Sequence, residues 1–178
     1  MTITSQFATA GDFWSGMVLP DYQEHLRDLA SLRAALHAAI SLFHMSDWVF
    51  HTHESGVRAA FTFRDKAGTN RPVSSPATFA NALEQRNQDF GRLRGICHAG
   101  KHLVLTDIRP VLGAPSHSAN TRSQSTGFGT GRFESGTYGV APRVMLEGGA
   151  GTADMEFADI AKSVHKMWVD LNGTHQWW

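Results

Sequence analysis

The stretch from Asp28 to His53 constrains this chain most. Its large apolar residues, Leu29, Leu32, Leu36, Ile40, Phe43 and Phe50, recur at the spacing of one helix face. A long helix with one apolar side needs other helices to cover it, and the remaining sequence offers several. Asp12 to Leu19 reads as a short helix stopped by Pro20, with Asp21 placed to cap the next helical stretch. Ser55-Gly56 reads as the end of the long helix. Val57 to Phe63 fits a helical extension or a short strand, and Asp65-Lys66-Ala67-Gly68 a turn. Ser75-Pro76 opens another helix, with Pro at its first position, through Phe79, Leu83 and Arg86. Asp89 then caps a helix through Phe90, Leu93, Ile96, Cys97 and Gly100, and Val104-Leu105 leaves it as a strand. Near the end, Ile160, Val164, Met167, Trp168 and Leu171 share one face of a helix from Phe157 to Leu171, which Asn172-Gly173 stops.

The texture changes after Pro110. Gly127, Gly129, Gly131, Gly136 and Gly139 alternate with Phe128, Phe133 and Tyr138, which predicts two to four short antiparallel strands between Val111 and Glu156. The expected fold class is α+β. One domain spans residues 1–178: a bundle of four to five helices over 12–105, a β-rich insertion over 111–156 and a C-terminal helix over 157–172.

Composition narrows the function classes. The chain has 178 residues, is 42% hydrophobic and 18% charged, and is therefore a globular sequence. Sixteen basic residues balance sixteen acidic ones, so any nucleic-acid site must be a local patch rather than a global field. Twelve of the basic residues are Arg, which suits planar, bidentate recognition. A single cysteine, Cys97, forbids an intrachain disulfide and points to a reducing, cytoplasmic setting. The N-terminal segment has no signal-peptide pattern, and no apolar run reaches the length of a membrane span. No membrane partner is expected.

The chemistry-bearing residues are concentrated in two groups. The first is His44, Asp47, His51 and His53; the second is His98 and His102, with Arg92, Arg94 and Lys101 beside them. On a helix His44, Asp47 and His51 fall within about 60° of one another. Arg94, His98 and His102 follow at i, i+4 spacing as one stripe. Asp47 also falls near the apolar face, where it should be paired. If the two helices pack together, the polar stripes meet inside the bundle.

Three readings of these residues compete. In the structural one, Asp47 pairs with an Arg or His of the second helix, and the histidines are hydrogen-bonded or half exposed. In the second, His44, Asp47, His98 and His102 hold zinc or iron between helices. Neither H-E-x-x-H nor a repeated E-x-x-H supports it. In the third, RNA is cleaved without a metal: a His moves protons while an Arg stabilises the phosphorane. Asp47, Arg92, Arg94, His98, Lys101 and His102 are the candidate catalytic residues. A non-catalytic interaction protein is the remaining class.

Arg92 and His98 form an R-x5-H, within the R-x4-6-H pattern of the HEPN ribonucleases. The residue after Arg92 is Leu93, where that family usually has a polar one. More broadly, the chain resembles uncharacterised bacterial HEPN-like helical-bundle proteins over residues 12–172. The resemblance rests on Asp47-Trp48, on Lys101-His102 followed by Leu103-Val104-Leu105, on the Gly-rich β stretch, and on Trp168 in the terminal helix. It implies a fold more than an activity: a helical bundle that pairs its motifs across a homodimer and contacts RNA without a metal. If Lys101-His102 is the shared feature, His102 rather than His98 is its key histidine.

Two further motifs read as structural. Gly127-Phe128-Gly129-Thr130-Gly131 does not join a strand to a helix, so a turn is expected rather than a phosphate loop. Cys97 falls on the apolar face, which predicts an inert thiol.

Overall fold

In the computed structural model, α3 (Leu32–Thr52) is the axis of the molecule. The structure describes residues 7–101, 115, 117–124, 142–148 and 153–178. Against α3 pack α1 (Ala10–Phe13), α2 (Leu19–Arg27), α5 (Pro76–Arg86), α6 (Gln88–Lys101) and α7 (Phe157–His175). A short helix, α4 (Glu54–Ala60), continues α3 beyond a break at His53. The fold is mainly α-helical with a small antiparallel β part before the last helix, as the patterning predicts. That part is the sheet β3 (Thr121–Gln124), β4 (Arg143–Leu146) and β5 (Met155–Glu156), in that order and antiparallel throughout. A separate hairpin, β1 (Thr62–Arg64) with β2 (Asn70–Pro72), joins α4 to α5. Its turn is held by Asp65, whose Oδ1 accepts from the Ala67 and Thr69 amides, and by Gly68 at φ +79°. Among the described residues, no helix is long and apolar enough to cross a membrane.

Several boundaries differ from the sequence expectation, each for a local reason. Pro20 does not end the first helix. Residues Trp14–Val18 form a π-helical turn, in which the Leu19 amide donates to the Trp14 carbonyl, and α2 continues from it without interruption. Pro20 sits in the first turn of α2, where its missing amide costs least. The cap of α6 is Asn87, not Asp89: its Oδ1 accepts from the amides of Asp89 and Phe90. α3 stops at His53 rather than at Ser55-Gly56, because His53 donates from Nε2 to the Trp177 carbonyl at 2.8 Å and leaves helical geometry. Asn172-Gly173 does not stop α7. The Asn172 side chain instead bonds the backbone of Trp178 in both directions, and the helix ends at Gln176 in the left-handed region, φ +52°.

The largest difference concerns the buried face of α3. Ile40 is 45% exposed and Leu32 37%. The buried face is Ala34, Ala35, Ala38, Ala39, Leu42, Met45, Val49 and, as the spacing predicts, Phe50, with Ser41 and Ser46. Small residues let the neighbouring helices come close, so α3 buries its alanine side and turns Leu32 and Ile40 outward, while Leu36 and Phe43 of the predicted face pack partly buried against the core.

His25 of α2 is 1% exposed and lies edge-on to Phe157 at 4.8 Å. Neither ring nitrogen has a hydrogen-bond partner among the described residues. Burial lowers its pKa from 6.5, partly opposed by Asp28. Burial also lowers that of His165, which stacks on Tyr22 at 4.3 Å. Both rings are held neutral, whereas in the unfolded chain they take a proton near pH 6.5. Below that pH the unfolded state binds more protons, so stability present at neutral pH is lost on acidification. Urea melts at pH 7.5 and 5.5 should show the loss, and His25→Leu should shrink it. An unchanged pH dependence in that variant would mean His25 titrates normally.

Candidate functional site

α3 and α6 pack side by side, so the two groups of candidate residues lie on neighbouring helices. Their contact runs through Phe43. Its ring meets Phe90 at 5.8 Å, His98 at 6.2 Å and His44 at 5.3 Å. The two histidines, one from each helix, thus both lie against one aromatic ring. Trp48, the partner of Asp47 in the D-W pair, turns the other way and stacks on Phe13 at 5.0 Å.

The pairing expected for Asp47 is not the one observed. Asp47 Oδ2 accepts from Nδ1 of His44, one turn away on the same helix, at 3.0 Å. Both side chains are exposed, 44% for Asp47 and 49% for His44. The buried cation is Arg94, which donates to Asn81 at 2.8 Å and Glu84 at 3.2 Å on α5 and lies over the Phe43 ring. Arg94 therefore ties α6 to α5. Asp47 is not needed for that tie, because α3 turns its alanine face inward and Asp47 outward. Asp47→Ala is accordingly expected to cost about 1 kcal/mol or less. A shift in the urea midpoint no larger than that of other surface changes checks this; a loss of several kcal/mol would show Asp47 bearing on the core.

Arg92 pairs with Asp89 at 2.6 Å, with both side chains mostly covered. Lys101 closes α6. His102, the Val104-Leu105 strand and the Gly127–Gly131 motif lie outside the described residues. Among the described residues, no three His, Cys, Asp or Glu side chains are grouped to hold a metal. His44, Asp47 and His98 thus form no such group. Cys97 packs partly buried against the core, and burial pushes its thiol up to about 12.

Sequence patterning did not reveal the aromatic cluster at the far end of the molecule. Trp178 stacks on Trp14 at 5.1 Å, Trp14 lies beside His165 at 5.2 Å, and His165 stacks on Tyr22. The C-terminal tryptophans dock on the body of the protein; in the sequence they stand only as an isolated pair. A shallow groove of about 370 Å³ lies between α5 and α7, floored by Leu83, Met167 and Leu171 and rimmed by Arg86 and Lys166. No protein family, no curated protein and no solved structure matches the chain.

Proposed function

We propose that this chain binds RNA and cleaves it without a metal ion, at the surface where α3 meets α6. The observation that carries the reading is that His44 of α3 and His98 of α6 both lie against the Phe43 ring, with Asp47 hydrogen-bonded to His44. Asp47 fixes the tautomer in which His44 carries its proton on Nδ1, leaving Nε2 as an acceptor. One histidine then takes the proton of the ribose 2′-hydroxyl as that oxygen attacks phosphorus. The other protonates the departing 5′-oxygen. Arg92 stabilises the phosphorane charge by exchanging Asp89 for phosphate. Arg94 positions α6 through Asn81 and Glu84, and the resemblance to the HEPN-like proteins is what adds Lys101 and His102 to the proposed phosphate contacts. The proposed partners are RNA and a second copy of the chain.

The test is cleavage of single-stranded RNA in excess chelator. His44→Ala and His98→Ala should each lower the rate about 10²–10⁴-fold, and Arg92→Ala about 10²–10³-fold. A parent protein that leaves RNA intact with and without metal removes the cleavage reading. Activity abolished by chelation would favour the zinc or iron alternative instead.

A further inference from the structure

Few side chains hold α2 to the rest of the molecule. The helix packs against α3 and α7, yet the only residues it buries are Tyr22 and His25. Leu26, its other large apolar residue near that end, is 48% exposed. Toward α7, His25 lies edge-on to Phe157 at 4.8 Å, and Tyr22 stacks on His165 at 4.3 Å. Each helix thus brings one histidine to the seam and one aromatic ring that receives the other's.

The two imidazoles have a second property in common. Neither nitrogen of His25, and not Nε2 of His165, has a hydrogen-bond partner among the described residues, and all three atoms are buried. A neutral imidazole bears this at the cost of unmade hydrogen bonds, whereas an imidazolium adds an uncompensated buried charge. The surrounding charges do little to offset it. Asp28, at the end of α2, favours a proton on His25, but burial outweighs it. His165 is faced by Trp14 and by Tyr22, whose phenol is kept neutral by burial. Arg33 is paired with Glu24, Arg143 with Glu156 and Lys166 with Asp170, while Asp159 and Lys162 are exposed on α7.

We propose that His25 and His165 form an acid-released latch: at neutral pH they hold α2 against α7, and protons taken from solvent by the two rings free α2 while the rest of the bundle stays folded. The release is local because the other helices are joined without α2. Trp168 ties α7 to α3 through the Leu42 carbonyl and meets Phe90 of α6. The π-helical turn before α2 and the Asp28–Ser31 turn after it separate this helix from its neighbours in sequence. Opening bares Tyr22 and Phe157, and the loss of the two protons at neutral pH closes the seam again. Neither ring belongs to the α3–α6 surface, so the latch stands or falls apart from RNA cleavage.

The experiment is hydrogen exchange read by mass spectrometry on the full chain at pH 7.5 and 5.5, corrected for the pH dependence of chemical exchange. A ring that takes its proton only in the open state raises the opening constant about tenfold between these two values. Protection of the α2 amides should therefore fall about 10–100-fold at pH 5.5 and recover at pH 7.5, while that of α3 and α5 changes by less than about twofold. His25→Leu should remove about tenfold of the fall, and His165→Phe in addition should remove the rest. Circular dichroism checks that the variants fold; if they do not, the profile of the parent decides alone. Equal α2 protection at the two pH values would overturn the proposal. So would a loss shared equally by α3 and α5, or one that persists in the folded double variant.

Discussion

Trp168→Ala is expected to cost about 3–5 kcal/mol, a large share of the roughly 5–15 kcal/mol that holds a domain of this kind folded. Trp168 is fully buried on α7, meets Phe90 edge-on at 6.1 Å, and donates from Nε1 to the Leu42 carbonyl of α3 at 3.0 Å. One side chain therefore spans three helices. Alanine leaves a cavity that this packing cannot close, together with the loss of a buried donor. Trp168→Phe keeps most of the apolar contact and forfeits the hydrogen bond, so a smaller loss is expected, on the order of 1–2 kcal/mol. Urea denaturation of both variants measures the two parts. A loss under about 1 kcal/mol in the alanine variant would mean that α7 does not seal α3 as described.

Removing Trp177 and Trp178 is the second large perturbation. Trp177 is 6% exposed, stacks on His175 at 4.8 Å and packs against Phe61 and Phe79. Its carbonyl accepts from His53 at the break between α3 and α4. Trp178 covers Trp14 and is held by Asn172. A chain without these two residues exposes aromatic faces at Trp14, on α5 and at the α4–β1 corner. The expected cost is again about 3–5 kcal/mol, which for a domain of this size lowers Tm by roughly 10 °C. Gly11→Val probes the same contact from the other side, because a Cβ there would stand 2.8 Å from Trp178 Cβ. Melting temperatures that stay at the parent value in both would show the aromatic cluster to be loosely held.

Much of the architecture could be read from local signals. Ser75-Pro76 starts α5 with a capping box, and the spacing from Ile160 to Trp168 marks the buried side of α7. These worked because a cap or a stripe of large residues is a local statement. On α3 the large-residue spacing marks Phe50 correctly but not Leu32 and Ile40, because size alone does not decide burial and close helix packing selects Ala35, Ala38 and Ala39. The candidate site inherited that error. With the helix turned, Asp47 moved from an expected buried pair to an exposed one, and Arg94 found its partners on α5. Neither pairing could be read from spacing along one helix, since each depends on how far the neighbouring helix is rotated.

The π-helical turn at Trp14–Val18 also fixes a phase. With bonds closing over five residues instead of four, Phe13 and Val18, five apart, come onto the same buried side, and Tyr22 and His25 join them there. A regular helix through the same stretch would swing the downstream residues off the core. Straightening the π-turn at unchanged length would thus act like a frameshift written in rotation, with every inward side chain of α2 dialled to the wrong compass point. Deleting one residue between Trp14 and Val18, by contrast, would restore a four-residue spacing and keep the phase. The segment is spelled by length as much as by letters.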